Sequence, residues 1–445
     1  MSLALVSLSM LLLPACNPGT ITLPSDDDTG VPGRDTDAPD TDTDTGEPVE
    51  TDEPDDTDIE VIDDTGGDTD TDEDTAPELD DDAIYEAFFD PAVIQTVDIE
   101  LSDAAIRQLN LDGGEYVEGS ATINGEVFAS VGVRLKGSST YQDLDCSDGY
   151  CKAGFKIKLN EYVEDQRLGD LERVTLNNMT SDYTQSKEII VYQLLREKSQ
   201  LASRANYARV TLNGREWGLY LNLETADDRW LRRRFEDPTG NFFGTASSYG
   251  DFYGPYLDTG WVSKSGDGDK SQIEAVTAVL DAFAGDFFGE LGPVINTDQW
   301  LEYWSWCAAT GNYDGYPFTI NDVLIYADPA DSNRFVFAPW GTDETWDEVQ
   351  YSGRNWNVVS ARLGYACLAD PLCVSALKTQ IGVAVTDYES MDVLGIAQAA
   401  WDLSEADVQT DPKRPFTPDY VWYYQDYYEG VIPGYGDYVR AQVGL

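Results

Sequence analysis

The sequence contains no histidine in 445 residues. That removes zinc hydrolases of the usual histidine type and Ser-His-Asp hydrolases together. Basic residues are scarce, with 28 Lys and Arg against 83 Asp and Glu and a formal net charge of −55. A chain of that sign repels nucleic-acid backbones, which argues against a general nucleic-acid binder. Long hydrophobic runs are missing too. The N-terminal one, within MSLALVSLSMLLLPACNPGT, is about a dozen residues, too short to cross a bilayer as a helix.

Apolar residues make up 42% of the chain and aromatic residues 12%, with 11 Trp and 26 Tyr, enough for a substantial core. The charge is unevenly spread. Residues 25–82 hold 27 acidic residues and one basic residue, a net −26, and residues 83–445 carry the remaining −29. Residues 1–15 have the apolar core of a signal peptide. The following Leu-Pro-Ala-Cys resembles a bacterial lipobox, which implies cleavage before Cys16 and a lipid anchor on its thiol. The usual positive segment before such a core is missing, which fits a start upstream of Met1. The alternative is a buried N-terminal helix. Residues 16–82 are an Asp/Thr-rich stretch without aromatic residues, too poor in apolar surface to offset the entropy of ordering. They are expected to form an extended tether.

Six cysteines fit an oxidising compartment. Besides Cys16, Cys146 and Cys151 are spaced to close one small loop, and Cys367 and Cys373 another. More distant pairings stay open. Cys307 is left over and is expected to pack as a small buried hydrophobe.

From residue 83 onward the composition is globular. Asn124-Gly125 and Asn213-Gly214 each mark a hairpin between alternating strands. KAGFKIKLN alternates Phe155, Ile157 and Leu159 with Lys156 and Lys158, and ERVTLNNM reads as a further strand. SKEIIVYQLLREK reads as a helix capped by Ser186, and residues 271–285 and 297–310 as two more. VLIYADPADSNRFVFAP is strand, turn and strand, after which irregular segments and a short helix or two are expected. The order from 297 to 346 is informative: helix, loop with Asp314 and Asn321, hairpin, then the acidic turn FAPWGTDETW. Protein kinases present their catalytic Asp, metal-binding Asn and metal-binding Asp in that order. Phosphoryl transfer needs a carboxylate to accept the hydroxyl proton, and Asp and Asn oxygens suit magnesium. No histidine is required.

Six blocks in order then resemble the CotH family, named for a spore-coat protein and related to atypical secretory-type protein kinases. They are VGVRLKGSS with KAGFKIKL, TLNNMTSDYTQSKEIIVYQLLRE, VTLNGREWGLYLNLETAD, GNFFG, GNYDGY with the Asn321 strand, and FAPWGTDETW. The resemblance implies an α+β, two-lobed, atypical kinase-like fold. Its β-rich N-terminal lobe spans about 83–230 and its mainly helical C-terminal lobe about 231–445. It also implies ATP- and Mg2+- or Mn2+-dependent phosphorylation of Ser or Thr on secreted or surface proteins. With the lipobox at Cys16, the expected protein is a lipid-anchored enzyme of the bacterial cell envelope, on the outer side because Asn17 is not the Asp of inner-membrane retention. Carried over by position, Asp314 is the base, and Asn321 and Asp343 are the metal ligands. Arg134, Lys136, Lys152, Lys156 and Lys158 are candidates for phosphate contacts, Lys152 matching the family's lysine best. Glu188 is the helical partner for such a lysine. Glu224 either supports the hairpin or approaches the nucleotide, and Trp340 and Trp346 are expected to pack around the turn. One departure stands out, because Gly341 occupies the position of the first Asp in the family's Trp-Asp-x-Asp. Either Asp343 reaches the metal or the site is degenerate. The alternative to an enzyme is a surface adhesion or binding module on the same fold.

Overall fold

The computed structural model describes residues 80–137, 140–144, 151–246, 249–346 and 355–445. The expected signal peptide, nearly all of the expected tether, Cys16 and Cys146 lie outside the described residues. Asp74–Leu445 forms one compact unit.

The first half is a closed barrel. It opens with α1 (Asp81–Phe88), which Asp80 caps by accepting from Ala83 N at 2.7 Å. The barrel strands are β1 (Ile94–Glu100), β2 (Val117–Ile123), β3 (Glu126–Lys136), β4 (Gly154–Lys158), β5 (Arg173–Asn177), β6 (Ala205–Leu212) and β7 (Arg215–Leu223), ordered β1-β2-β3-β4-β5-β7-β6. Helix α2 (Asp103–Leu111) follows β1, and α3 (Lys187–Glu197) follows β5. The ring closes through a parallel β1–β6 pairing, while the other neighbours are antiparallel. Both expected hairpin turns form, with Asn124 and Gly125 at φ 49° and 88° and Asn213 and Gly214 at 51° and 68°. Positive φ at both central positions is what matches the right-handed twist of the strands they join. Alternation sends Val133, Leu135, Phe155, Ile157, Val174 and Leu176 into the barrel core. The same alternation turns Arg134, Lys136, Lys156, Lys158 and Arg173 outward on one wall.

The second half carries a four-stranded sheet, β11-β10-β8-β9, built from β8 (Phe242–Thr245), β9 (Trp261–Ser265), β10 (Val323–Asp328) and β11 (Arg334–Pro339). Helix α4 (Asp228–Arg232) precedes it, and α5 (Ser271–Asp281), α6 (Phe287–Leu291), α7 (Thr297–Thr310) and α8 (Tyr316–Thr319) lie between its strands. The mixed α and β character expected from the sequence holds. The second half is less purely helical than expected, because that sheet belongs to it.

Where irregular segments and a short helix or two were expected, there are five helices: α9 (Arg362–Ala369), α10 (Pro371–Glu389), α11 (Val393–Thr410), α12 (Pro418–Val431) and α13 (Tyr435–Val443). Helix α10 buries Cys373, Leu377, Ile381, Ala384, Val385 and Tyr388, a helical spacing of apolar positions. The Cys367–Cys373 disulfide joins α9 to α10, and Cys307 is a buried free thiol. Cys151 is also disulfide-bonded. One core runs from α3 and the outer side of β6 and β7 through α7 and the second sheet to α13.

One helix start differs from expectation. Ser186 makes no capping bond to α3; its Oγ accepts from Trp401 Nε1 at 2.8 Å. Asp182 takes the capping role, its Oδ2 accepting from Lys187 N at 2.6 Å. Asn296 caps α7 through Gln299 N.

Candidate active site

Strand register places the basic wall. Arg134 lies opposite Lys156 across β3–β4, and Lys136 opposite Gly154. A Cβ at Gly154 would come within 2.9 Å of Lys136 Cγ, so glycine leaves room for the lysine stem. From β9 a further amine, Lys264, passes over Gly244 towards this wall. The Lys156 ammonium is pushed well below its usual range, first by burial and then by Lys264, Lys136, Arg134 and Arg173. Burial, then Arg134 and Lys136, likewise lower Lys264. Arg173 has a carboxylate partner, Asp227 at 2.9 Å, and Lys158 has Glu161 at 2.6 Å. In so acidic a chain, this is a local surplus of positive charge.

Lys136 joins that wall to a carboxylate group. Its Nζ donates to Asn177 Oδ1, and Asn177 Nδ2 donates to Glu188 Oε2 at 3.1 Å. Glu188, in the first turn of α3, is 5% exposed. Burial pushes its carboxyl up to about 7, opposed by Lys136 and Asn177 and reinforced by Asp182. The Lys136 amine is lowered by burial, while Glu188, Asp343 and Asp322 favour its charged form.

The other carboxylates come from the loop after α7 and from the two ends of the β10–β11 hairpin. Gly311 ends α7 in the left-handed conformation, and Asp314 lies in the turn beyond it. Asn321 Nδ2 donates to Asp314 Oδ2 at 3.2 Å. Asp322 directly precedes β10, and the acidic turn directly follows β11. Trp340 N donates to Asp322 O at 3.3 Å, and Trp346 N to Thr310 O at 3.2 Å. The second bond ties the acidic turn to the end of α7. Trp346 is fully buried, as a residue packing the turn should be. The Asp322 carboxyl is raised well above the usual range by burial, then by Asp314, Asp343 and Glu188. Asp343 is raised by burial, then by Glu188, Glu344 and Asp182.

The structure therefore brings together Asp314, Asn321, Asp343, Glu188, Arg134, Lys136 and Lys156 of the expected set, and adds Asp322, Asn177 and Lys264. Lys152 is elsewhere. It is fully buried, its Nζ donating to Asp411 Oδ2 at 2.6 Å and lying 4.9 Å from the centre of the Tyr220 ring. Asp411 ends α11 and also accepts from Leu219 N at 2.9 Å, so this pair fastens α11 to the barrel. The best sequence match for the phosphate lysine thus has a private counterion, and Lys136 is the lysine linked to Glu188, through Asn177. Glu224 is also removed from the site. Its carboxylate accepts from Arg204 Nη1 at 3.0 Å, from Tyr85 Oη at 2.8 Å and from both terminal nitrogens of Arg234. It supports the hairpin.

The donors suit a hard divalent cation, since they are carboxylate and amide oxygens with raised carboxyl pKa values and too little positive charge among them. Among the described residues, no three Asp, Glu or Cys side chains converge closely enough to enclose an ion.

A barrel wall of cations facing carboxylates from a helix, a loop and a hairpin end defines the class: a mixed α and β protein with a split-charge polar site. The sequence matches the CotH family, described as CotH kinase protein, over residues 133–379, and the chain belongs to that family. It is also similar to inner spore coat protein H of Bacillus subtilis (strain 168), 23% identical over 185 residues, which are 39% of this chain and 49% of that protein. The aligned stretch thus spans about half the length of that relative.

Proposed function

We propose that this protein transfers the γ-phosphoryl group of ATP to Ser or Thr hydroxyls of secreted or surface proteins, on a two-lobed kinase-like arrangement of barrel and helical half. The observation that carries this is the opposition of charge across Lys136. Uncompensated cations stand on one side and uncompensated carboxylates on the other, which suits a polyphosphate bridging the two. Arg134, Lys156 and Lys264 face the phosphate oxygens, and Asn177 and Glu188 hold the Lys136 amine in place. Asp314, oriented by Asn321, accepts the hydroxyl proton as the oxygen attacks the γ-phosphorus. The bond from the γ-phosphorus to the β–γ bridging oxygen breaks, and ADP leaves. Mg2+ or Mn2+, held by Asn321 and Asp343, would neutralise charge developing on the phosphates. Family membership supports the kinase chemistry, and lipidation at Cys16 would put the site at the cell envelope.

The test is incubation of the full chain with labelled ATP, Mg2+ or Mn2+ and a Ser/Thr-rich acceptor. Label on the protein or acceptor is expected, and Asp314→Asn should lower transfer by about 10²–10⁴-fold without changing the melting temperature. No transfer together with no nucleotide-dependent thermal shift would sink the kinase assignment. Full activity of Asp314→Asn would refute the base.

A further inference from the structure

We infer that Asp322 supplies the carboxylate missing at Gly341, so that the cation set is Asp322 with Asp343 and Asn321. This deepens the proposed function and rests on it. The geometry is local. Asp322 and Gly341 flank the open end of the β10–β11 hairpin, just beyond the paired Val323 and Pro339. Gly341 has φ 56°, and a Cβ built on it would lie 2.7 Å from Asp322 Cγ and 3.1 Å from Oδ1, with Oδ2 closer still. The Asp322 carboxylate therefore occupies the space where a side chain at 341 would begin. A carboxylate enters the same place from the other strand end.

The backbone is bent to put it there. Ile320 and Asp322 both have positive φ, 58° and 40°, on either side of Asn321. A β-branched residue in that region is a true outlier, and such outliers persist where surrounding structure holds them. Asp322 closes no ion pair among the described residues, unlike Glu224 with its two arginines. Its side chain hydrogen-bonds that of Asp314, with Asp343 and Glu188 close by. A carboxylate held by bent backbone among other carboxylates suits a hard cation. On this reading Gly341 is no lesion: glycine is required because Asp322 stands over it.

The measurement is Mn2+ binding to the full chain, read by the loss of the free-ion electron paramagnetic resonance signal, with and without a non-hydrolysable ATP analogue. Wild type is expected to bind, and Asp322→Asn, which keeps the shape, should bind at least about tenfold more weakly. The double variant Asp322→Gly with Gly341→Asp, which moves the carboxylate across the hairpin, should restore most of the affinity. Gly341→Asp alone should lower the melting temperature through the collision. If wild type binds Mn2+ and Asp322→Asn binds equally well, the role of Asp322 is overturned while the kinase assignment stands. If wild type binds no Mn2+ even with the nucleotide analogue, both fall.

Discussion

Two acidic regions of this protein are treated in opposite ways. Glu224, fully buried at the end of β7, has Arg204, Arg234 and the Tyr85 hydroxyl around it. Burial alone would raise its carboxyl, yet the arginines draw it down to about 2. Glu188, Asp322 and Asp343 share one amine, Lys136, and all three are raised. The same residue type thus serves as a closed structural joint in one place and as an open set of donors in the other. The lysines repeat the lesson, since Lys152 is closed by Asp411, whereas Lys156 has Lys264, Lys136, Arg134 and Arg173 around it and no ion pair among the described residues. Compensation marks structure, and its lack marks the place where a ligand is expected.

Breaking the closed joint should have the largest effect. Glu224→Ala would strand the largely buried Arg234, leave Arg204 with Glu86 alone, and should destabilise the fold by about 3–5 kcal/mol in a denaturant titration. A loss below about 1 kcal/mol would show the joint is weaker than its geometry indicates.

The pH dependence should run in opposite directions for the two regions. Glu224 has a folded pKa of about 2 against an ordinary 4.5, so its stabilisation is present above 4.5 and lost as pH falls towards 2, on the order of 3 kcal/mol. Glu188, at about 7 in the fold, favours the folded state below 4.5, and that contribution is lost as pH rises through about 7. Chemical denaturation across this range should show the acid limb flattened in Glu224→Gln. The neutral limb should be flattened in Glu188→Gln without metal. A neutral limb unchanged by Glu188→Gln would contradict the environment assigned to Glu188.

A smaller effect of opposite sign is expected at the open site. Asp343→Asn removes a repelled charge and should raise metal-free stability by roughly 1 kcal/mol or less, while abolishing the thermal shift on adding Mg2+. Destabilisation of the metal-free protein would count against an uncompensated site. The smallest change should follow Arg209→Ala, whose pairing with Asp407 is half in solvent. A loss of less than about 1 kcal/mol is expected, and more would mean the pair fastens α11 as Asp411 does.

Much of the scaffold was legible before the structure. Phe155, Ile157 and Leu159 announced which face of β4 is buried, and Asn124-Gly125 and Asn213-Gly214 announced two hairpins, because strand alternation and positive-φ turns are local properties. After residue 361 only a short helix or two were read, although Leu377, Ile381 and Tyr388 carried helical spacing over a much longer one. Within the site, Asp314, Asn321 and Asp343 were visible as an ordered series along the chain. Lys136 was visible only as one basic residue among several. Asp322 was hidden by standing next to Asn321, and Lys264 by lying far along the chain from Arg134, Lys136 and Lys156, the cations it faces.

The sequence by itself determined the uneven charge, the lack of histidine chemistry, the strand alternation and the order of Asp, Asn and Asp. Those follow from composition and near-neighbour spacing. Only the tertiary structure decided which lysine is free for a ligand and which carboxylate stands where Gly341 leaves room. Lys152 finds its counterion 259 residues away in Asp411. Asp322 meets Gly341 only once β10 and β11 are in register. Charge compensation acts through space, and spacing along the chain does not encode it.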